Sequence, residues 1–187
     1  MVEPPTESPI EPIVRTLWPP PDAESLERVI SVKDGELMVR PIRHEDAPAL
    51  IDMIHKADPA DVRSRFHVAM HEPPPELIER LTDIDYSRHM ALIALSGPEI
   101  VAVARLVCDP GCGSGEFALA VRTDQQRRGI GRALMQLLLD YARTKGMTEV
   151  WGSVEVENQR MLALARELGF HPMGTAILGE VRVTLAL

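Results

Sequence analysis

The stretch Gln126-Arg127-Arg128-Gly129-Ile130-Gly131 runs directly into an amphipathic segment, residues 132–145, so a glycine-rich turn delivers backbone N–H groups to the start of a helix. Such an arrangement binds phosphate, because the amides of a first helical turn lack intrahelical partners and the helix dipole adds partial positive charge there. A side chain at position 129 or 131 would obstruct a ligand approaching the main chain, and glycine removes that obstruction. The ligand read from this turn is an anion, a pyrophosphate in particular. A Walker loop needs Gly-x4-Gly-Lys-Ser/Thr, and a dinucleotide fingerprint needs a third glycine with an acidic residue about twenty positions on. Neither pattern is present.

Working outward, Leu134, Leu137, Leu138 and Tyr141 recur at helical spacing, with Arg132, Gln136, Asp140 and Arg143 offset from them, so one face of this helix packs on a sheet. Residues 116–122 before the turn read as a strand. After the helix, Val150, Gly152, Val154 and Val156 alternate with Trp151, Ser153 and Glu155, and Val181, Val183, Leu185 and Leu187 alternate along a final strand. Upstream, Leu37, Val39 and Ile42 mark a first strand, and Asp46 turns into a helix at 47–56. Segments 59–66 and 75–81 are short helical candidates with prolines in the first turn, where they are tolerated. Two strands, 90–95 and 100–108, flank the turn Ser96-Gly97-Pro98-Glu99, and the glycine-rich 108–115 leads into the strand at 116, giving three antiparallel strands in succession. The predicted architecture is α/β, a mixed sheet flanked by helices.

A chain of 187 residues accommodates one such domain. Seven of the 16 prolines fall in the first 21 residues, which disfavours regular backbone hydrogen bonding, so residues 1–35 are expected to form a flexible tail and 36–187 the domain. Within the tail, Trp18 either docks on a surface or is simply carried, and residues 26–32 form a short helix or a strand. A formal charge of −8 disfavours a nucleic-acid partner and attracts cations. No apolar run approaches the roughly 20 residues of a membrane span, and the start lacks a signal-peptide pattern, so neither a membrane partner nor export is expected and the location read is cytoplasmic. Cys108 and Cys112 then read as free thiols. His67 and His71 sit four apart, but Pro73-Pro74-Pro75 follows and no carboxylate pattern completes a site, so no metal is expected.

The spacing Gln-x-x-Gly-x-Gly after a strand, the buried strand at 149–156, Asn158 opening the helical run 159–168, and Gly169-Phe170 closing it together resemble the GNAT N-acetyltransferase superfamily, and the order can be laid over residues 36–187. The resemblance implies the GNAT fold, a mostly antiparallel mixed sheet of about six or seven strands, with acetyl-CoA as co-substrate. It implies that the pyrophosphate falls on the N–H groups of Gln126, Arg127, Arg128, Gly129, Ile130, Gly131 and Arg132. The pantetheine arm, a pseudo-peptide, would pair along residues 117–121 through the amides of Leu119, Ala120 and Val121. A β-bulge in that strand, usual in the family, would aim an N–H at the thioester oxygen. The guanidinium groups of Arg127, Arg128 and Arg132 either contact phosphate or stay solvated. Asn158 either contacts pantetheine or caps its helix.

An amine acceptor must lose a proton before it attacks a thioester. Glu116 is the candidate base, because it opens the strand that would carry the thioester. Its apolar flanks predict a partly buried position with a raised pKa; Glu155 and Glu157 are held in reserve. Many relatives carry a tyrosine seven residues beyond the asparagine as the acid for the leaving thiolate. Here that residue is Ala165, and neither Tyr86 nor Tyr141 occupies the place, so water takes the role or no acid is needed.

Several further stretches resemble the bacterial protein-lysine acetyltransferase branch: Val39-Arg40-Pro41-Ile42-Arg43 with Glu45-Asp46, Arg65-Phe66, Ile84-Asp85-Tyr86, and residues 118–131 with Met161-Leu162-Ala163-Leu164. Members of that branch acetylate an active-site lysine of acyl-CoA synthetases. The implied reaction is transfer of acetyl to a lysine ε-amine of such a partner protein; a small-molecule amine acceptor and a non-catalytic acyl-CoA-binding regulatory module are the alternatives. The sequence leaves the oligomeric state open.

Overall fold

The computed structural model describes residues 26–58, 72–84 and 86–187. Trp18 with the rest of 1–25, the helical candidate at 59–66 with Arg65-Phe66, His67 and His71, and Asp85 lie outside the described residues. The described strands form one eight-stranded sheet in the order β1-β2-β3-β4-β5-β6-β8-β7, one strand more than the upper expectation. They are β1 (Arg28–Val32), β2 (Gly35–Pro41), β3 (His89–Ser96), β4 (Glu99–Cys108), β5 (Ser114–Val121), β6 (Glu149–Glu155), β7 (His171–Ile177) and β8 (Glu180–Ala186). Among the described residues the α-helices are α1 (Ala47–Lys56), α2 (Pro75–Thr82), α3 (Ile130–Thr144) and α4 (Gln159–Glu167). No helix among the described residues is long and apolar enough to cross a membrane.

β1 falls inside the stretch expected to be tail. It pairs antiparallel with β2 from Arg28↔Val39 to Val32↔Gly35, so the sheet begins before residue 36. Central strands β3 and β4 are buried along nearly their whole length because both faces are covered, and they read accordingly as unbroken apolar runs, Met90-Ala91-Leu92-Ile93-Ala94 and Ile100-Val101-Ala102-Val103-Ala104. The face of α3 bearing Leu134, Leu138 and Tyr141, with Met135 and Ala142, packs against β3, β4 and β5, while α1 covers β4 from the opposite side. On β6 the expected alternation holds: Val150, Gly152 and Val154 are buried and Ser153 is exposed.

β7 has no counterpart in the sequence reading. His171-Pro172-Met173-Gly174-Thr175-Ala176-Ile177 carries a proline and a glycine, and every residue of it is exposed. An outermost strand with a single partner, β8, tolerates both residues because only one edge must be hydrogen-bonded.

Where β2 hands over to α1, Arg40 and Asp46 form a two-pronged ion pair, Nη1 to Oδ2 and Nη2 to Oδ1, both 2.7 Å, and the Arg43 backbone N–H also donates to Asp46 Oδ2 at 2.7 Å. Asp46 is buried. Burial is the largest influence on its carboxyl and pushes its pKa up. The bonds from Arg40 and Arg43 outweigh it and hold the pKa below the ordinary carboxylate value. A depressed folded-state pKa contributes stability that is present above the unfolded carboxylate range near pH 4 and is lost as pH falls through the folded value. Asp46→Asn should therefore cost about 1–3 kcal/mol in urea unfolding at neutral pH, the penalty for leaving the half-buried Arg40 without its charged partner. The difference from wild type should shrink at acid pH.

Candidate active site

The sheet is split at one place. β5 and β6 run parallel but pair only through Ser114↔Glu149, Gly115↔Val150 and Glu116↔Trp151. Beyond that, β5 continues to Val121 on β4, and β6 continues to Glu155 on β8, with no ladder between them. The strands part where the packing between them is tight. The Phe117 ring sits on Gly152, so close that a Cβ there would lie 2.6 Å from Phe117 Cε1. The same ring meets Phe170 edge to face at 5.1 Å between centroids. A cleft of about 610 Å³ opens between the strands, with residues 117–121 on one wall, Ser153, Val154 and Glu155 on the other, and the starts of α3 and α4 across one end.

Residues Leu119, Ala120 and Val121 thus present a strand edge with no strand partner among the described residues, as the sequence reading required. The expected β-bulge is absent, however. The β4–β5 register runs from Ala102↔Val121 to Cys108↔Gly115 without a shift. The free edge comes from the splaying of two whole strands rather than from a local irregularity. The one register shift among the central strands lies between β3 and β4, at Ala94/Leu95.

At the far end of β5 the buried Arg122 binds Asp124 at 2.7 and 3.0 Å and Glu99 at 2.9 Å, fixing the turn that leads into the glycine-rich loop. The two glycines of that loop serve different ends. Gly129 has φ +86°, a left-handed conformation, and nothing stands within 4 Å of where its Cβ would be. Gly131 is needed for contact: a Cβ would lie 3.1 Å from Leu119 Cδ2 and 3.5 Å from both Leu164 Cδ2 and Val121 Cγ2, so glycine lets α3 start hard against β5 and α4. The helical ladder opens with Ala133 N–H to Gly129 O at 3.0 Å, which leaves the N–H groups of Ile130, Gly131 and Arg132 without helical acceptors at the cleft.

The side chains sort less evenly. Gln126, Arg127 and Arg132 line the cleft. Gln126 Nε2 donates to Val121 O at 3.2 Å, and Arg132 is paired with Glu167. Arg128 is not in the cleft wall. Its guanidinium donates to Gln125 Oε1 and to Asp34 O, and Lys33 N–H donates to Arg128 O at 3.1 Å, so this residue ties the loop to the β1–β2 turn. Neighbouring residues of a tight loop point to different sides, and the second arginine faces away from the cleft. Asn158 does cap α4, its Oδ1 accepting from Met161 N–H at 3.0 Å, and it also lines the cleft.

Glu116 lines the cleft but is exposed, contrary to the partly buried position expected. Its flanks Gly115 and Phe117 are buried because successive strand residues face opposite sides, so apolar neighbours describe the other face. The face of Glu116 carries Val107, directly opposite and also exposed, then Ala118 with its partner Arg105, and Ala120 with Val103. Of the reserve carboxylates, Glu155 lines the cleft half-buried, whereas Glu157 is exposed and outside it. Ala165 is buried, Tyr141 of α3 is buried with Lys145 Nζ 5.4 Å from its ring centroid, and the Tyr86 hydroxyl donates to Ile42 O; neither tyrosine lines the cleft.

Two arginines of the site escaped the sequence reading. Arg105 is buried in β4, lines the cleft and donates to Leu81 O at the end of α2. Its signal was a lone charge inside an apolar strand, a placement that is expensive without partners. Arg160, in the first turn of α4, lines the cleft and donates to Gln126 Oε1 at 2.5 Å. Leu50, Met53, Ile54, Ala57 and Leu81 supply an apolar wall. Among the described residues no three His, Cys, Asp or Glu side chains gather as a metal site. Cys108 and Cys112 are free, and burial, then the hydrogen bond with Cys112, pushes the Cys108 thiol pKa up to about 12, so it is protonated at neutral pH.

The family model Acetyltransferase (GNAT) family matches residues 54–170, more than half of the chain. An acetyltransferase of Pseudomonas aeruginosa is 32% identical over 147 residues, covering 76% of this chain and 79% of that protein. The [ribosomal protein bS18]-alanine N-acetyltransferase of Salmonella typhimurium is 42% identical over 55 residues, 29% of this chain and 37% of its own length. The crystal structure of the GNAT domain of S. lividans PAT superposes with a TM-score of 0.82 at 24% identity, covering 87% of this chain and 98% of that one. Other solved structures of this fold contain coenzyme A.

Proposed function

We propose, for a chain that belongs to the GNAT acetyltransferase family and is an acetyl-CoA-dependent N-acetyltransferase, that the acceptor is the ε-amine of a lysine in a partner protein, an acyl-CoA synthetase being the candidate. The observation that carries this reading is the make-up of the acceptor half of the cleft. The cleft combines an apolar wall of Leu50, Met53, Ile54, Ala57 and Leu81 with the carboxylates of Glu116 and Glu155. A lysine side chain has the same order of parts, an aliphatic stem and then a cation. A polyamine carries charge along its whole length, which the apolar wall does not match. Dependence on acetyl-CoA supports a cytoplasmic location for the reaction.

The cleft suits acetyl-CoA. The N–H groups of Gly129, Ile130, Gly131 and Arg132 would take the pyrophosphate, Arg127 adding charge. The edge of Leu119, Ala120 and Val121 would pair with the pantetheine, and Asn158 would face it from α4. Glu116 takes the proton of the lysine ammonium, directly or through one water. The neutral nitrogen then forms a bond to the thioester carbon, and as the C–S bond breaks it gives up its second proton, which passes through water to the departing thiolate. The thiolate needs no side-chain acid, because a thiol of pKa about 8.5 is a tolerable leaving group.

A second reading, transfer to the α-amine of a protein N-terminus, is supported by the 42% identity with the bS18-alanine enzyme over 55 residues. One experiment separates the readings. Incubate the protein with acetyl-CoA and a purified acyl-CoA synthetase, follow thiol release, and map the added mass. One acetylated lysine per acceptor supports the proposal, whereas acetylation of an N-terminus, or no transfer while a small amine is acetylated, overturns it.

A further inference from the structure

We infer that Arg160 is a phosphate ligand of the co-substrate, exchanging its bond to Gln126 for one to a phosphate oxygen. This rests on the acetyl-CoA reading of the cleft and adds a residue from a second helix to it. Arg160 stands in the first turn of α4, while Gln126 belongs to the loop that opens α3, so their 2.5 Å bond bridges the end of the cleft where the loop offers its N–H groups. The charges around it are unequal. Arg132 is neutralised by Glu167 and Arg128 lies within 3.7 Å of Asp34, whereas Arg160 has no carboxylate partner among the described residues and spends its charge on a neutral carboxamide.

A guanidinium hydrogen bond to an anionic oxygen is roughly twice as strong as one to a neutral acceptor, and its planar fork can grip two phosphate oxygens at once. A phosphate placed on the loop N–H groups therefore outcompetes Gln126 Oε1 for Arg160. Gln126 keeps its other anchor, Nε2 to Val121 O at 3.2 Å, so the loop and the free edge of β5 stay joined when the bridge opens. The consequence is selectivity: Arg160 should favour donors that carry phosphate and be indifferent to those that do not.

Calorimetric binding of coenzyme A, dephospho-coenzyme A and phosphate-free pantetheine to wild type and Arg160→Gln tests this without any acceptor. The expected result is a loss of about tenfold in coenzyme A affinity, with pantetheine affinity unchanged and the salt dependence of coenzyme A binding reduced. A loss shared with dephospho-coenzyme A assigns the contact to the pyrophosphate; a loss that spares it assigns the contact to the 3′-phosphate. Equal losses for coenzyme A and pantetheine would mean that Arg160 only braces Gln126, and unchanged affinity for all three would mean that it holds no phosphate. Either overturns the inference. Failure of the wild type to bind coenzyme A at all would instead remove the reading of the cleft on which it stands.

Discussion

Glu116→Gln, which removes the proposed base, should lower kcat for acetyl transfer by ~10²–10⁴-fold, the usual worth of a positioned general base, while coenzyme A affinity changes by less than twofold. Glutamine keeps the shape and the hydrogen-bonding capacity of the side chain but cannot accept the proton. Because Glu116 is exposed in the cleft wall and not built into the core, the melting temperature should not move. Loss of turnover with an intact fold is therefore the signature of chemistry. The pH profile adds a second test: the acidic limb of kcat/KM that reports the base should vanish in the variant. If Glu116→Gln keeps full activity, Glu155, half-buried on the opposite wall, becomes the base to replace next.

Gly152→Ala should have the largest structural effect of any single methyl group added to this chain. Its Cβ would lie 2.6, 2.7 and 3.0 Å from three carbons of the Phe117 ring, and that ring cannot retreat because Phe170 stands against it at 5.1 Å. Overpacking of this kind costs about 1–3 kcal/mol. At about 2–4 °C per kcal/mol for a domain of this size, the melting temperature should fall by several degrees. Activity should fall further than stability alone explains, since Phe117 leads directly into the edge of Leu119, Ala120 and Val121. Phe117→Leu on the Gly152→Ala background should recover part of the melting temperature. If Gly152→Ala melts like wild type, the ring is not the wedge between the strands.

The parts of the fold legible in the sequence were those where one physical cause dominates. Long apolar runs such as Ile100-Val101-Ala102-Val103 announced central strands, and the Gly129 and Gly131 spacing announced the start of α3, since few other patterns place left-handed backbone at a helix entrance. Burial was less legible. The surroundings of Glu116 were misread because its sequence neighbours lie on the other face of the sheet. β7 was missed because an outer strand does not need the composition of an inner one. The loop itself was found but not the direction of each side chain, so Arg128 was expected in the cleft and instead holds the β1–β2 turn. Arg160 and Arg105 are defined by partners far along the chain, Gln126 and Leu81, and no local pattern encodes such pairs.

The free edge of β5 beyond its three-residue seam with β6 would, on the proposed pairing with pantetheine, couple the folding of this protein to its co-substrate. A ligand that pairs with residues 117–121 completes a hydrogen-bonding row that exists only in the folded chain. It therefore binds the native state and not the unfolded one. Under such linkage, saturation at a hundred times the dissociation constant adds about 2.7 kcal/mol to the free energy of unfolding. On the proposed pairing, the stability of the enzyme would follow its saturation with acetyl-CoA: without the thioester the same fold would open more often and exchange its amides faster.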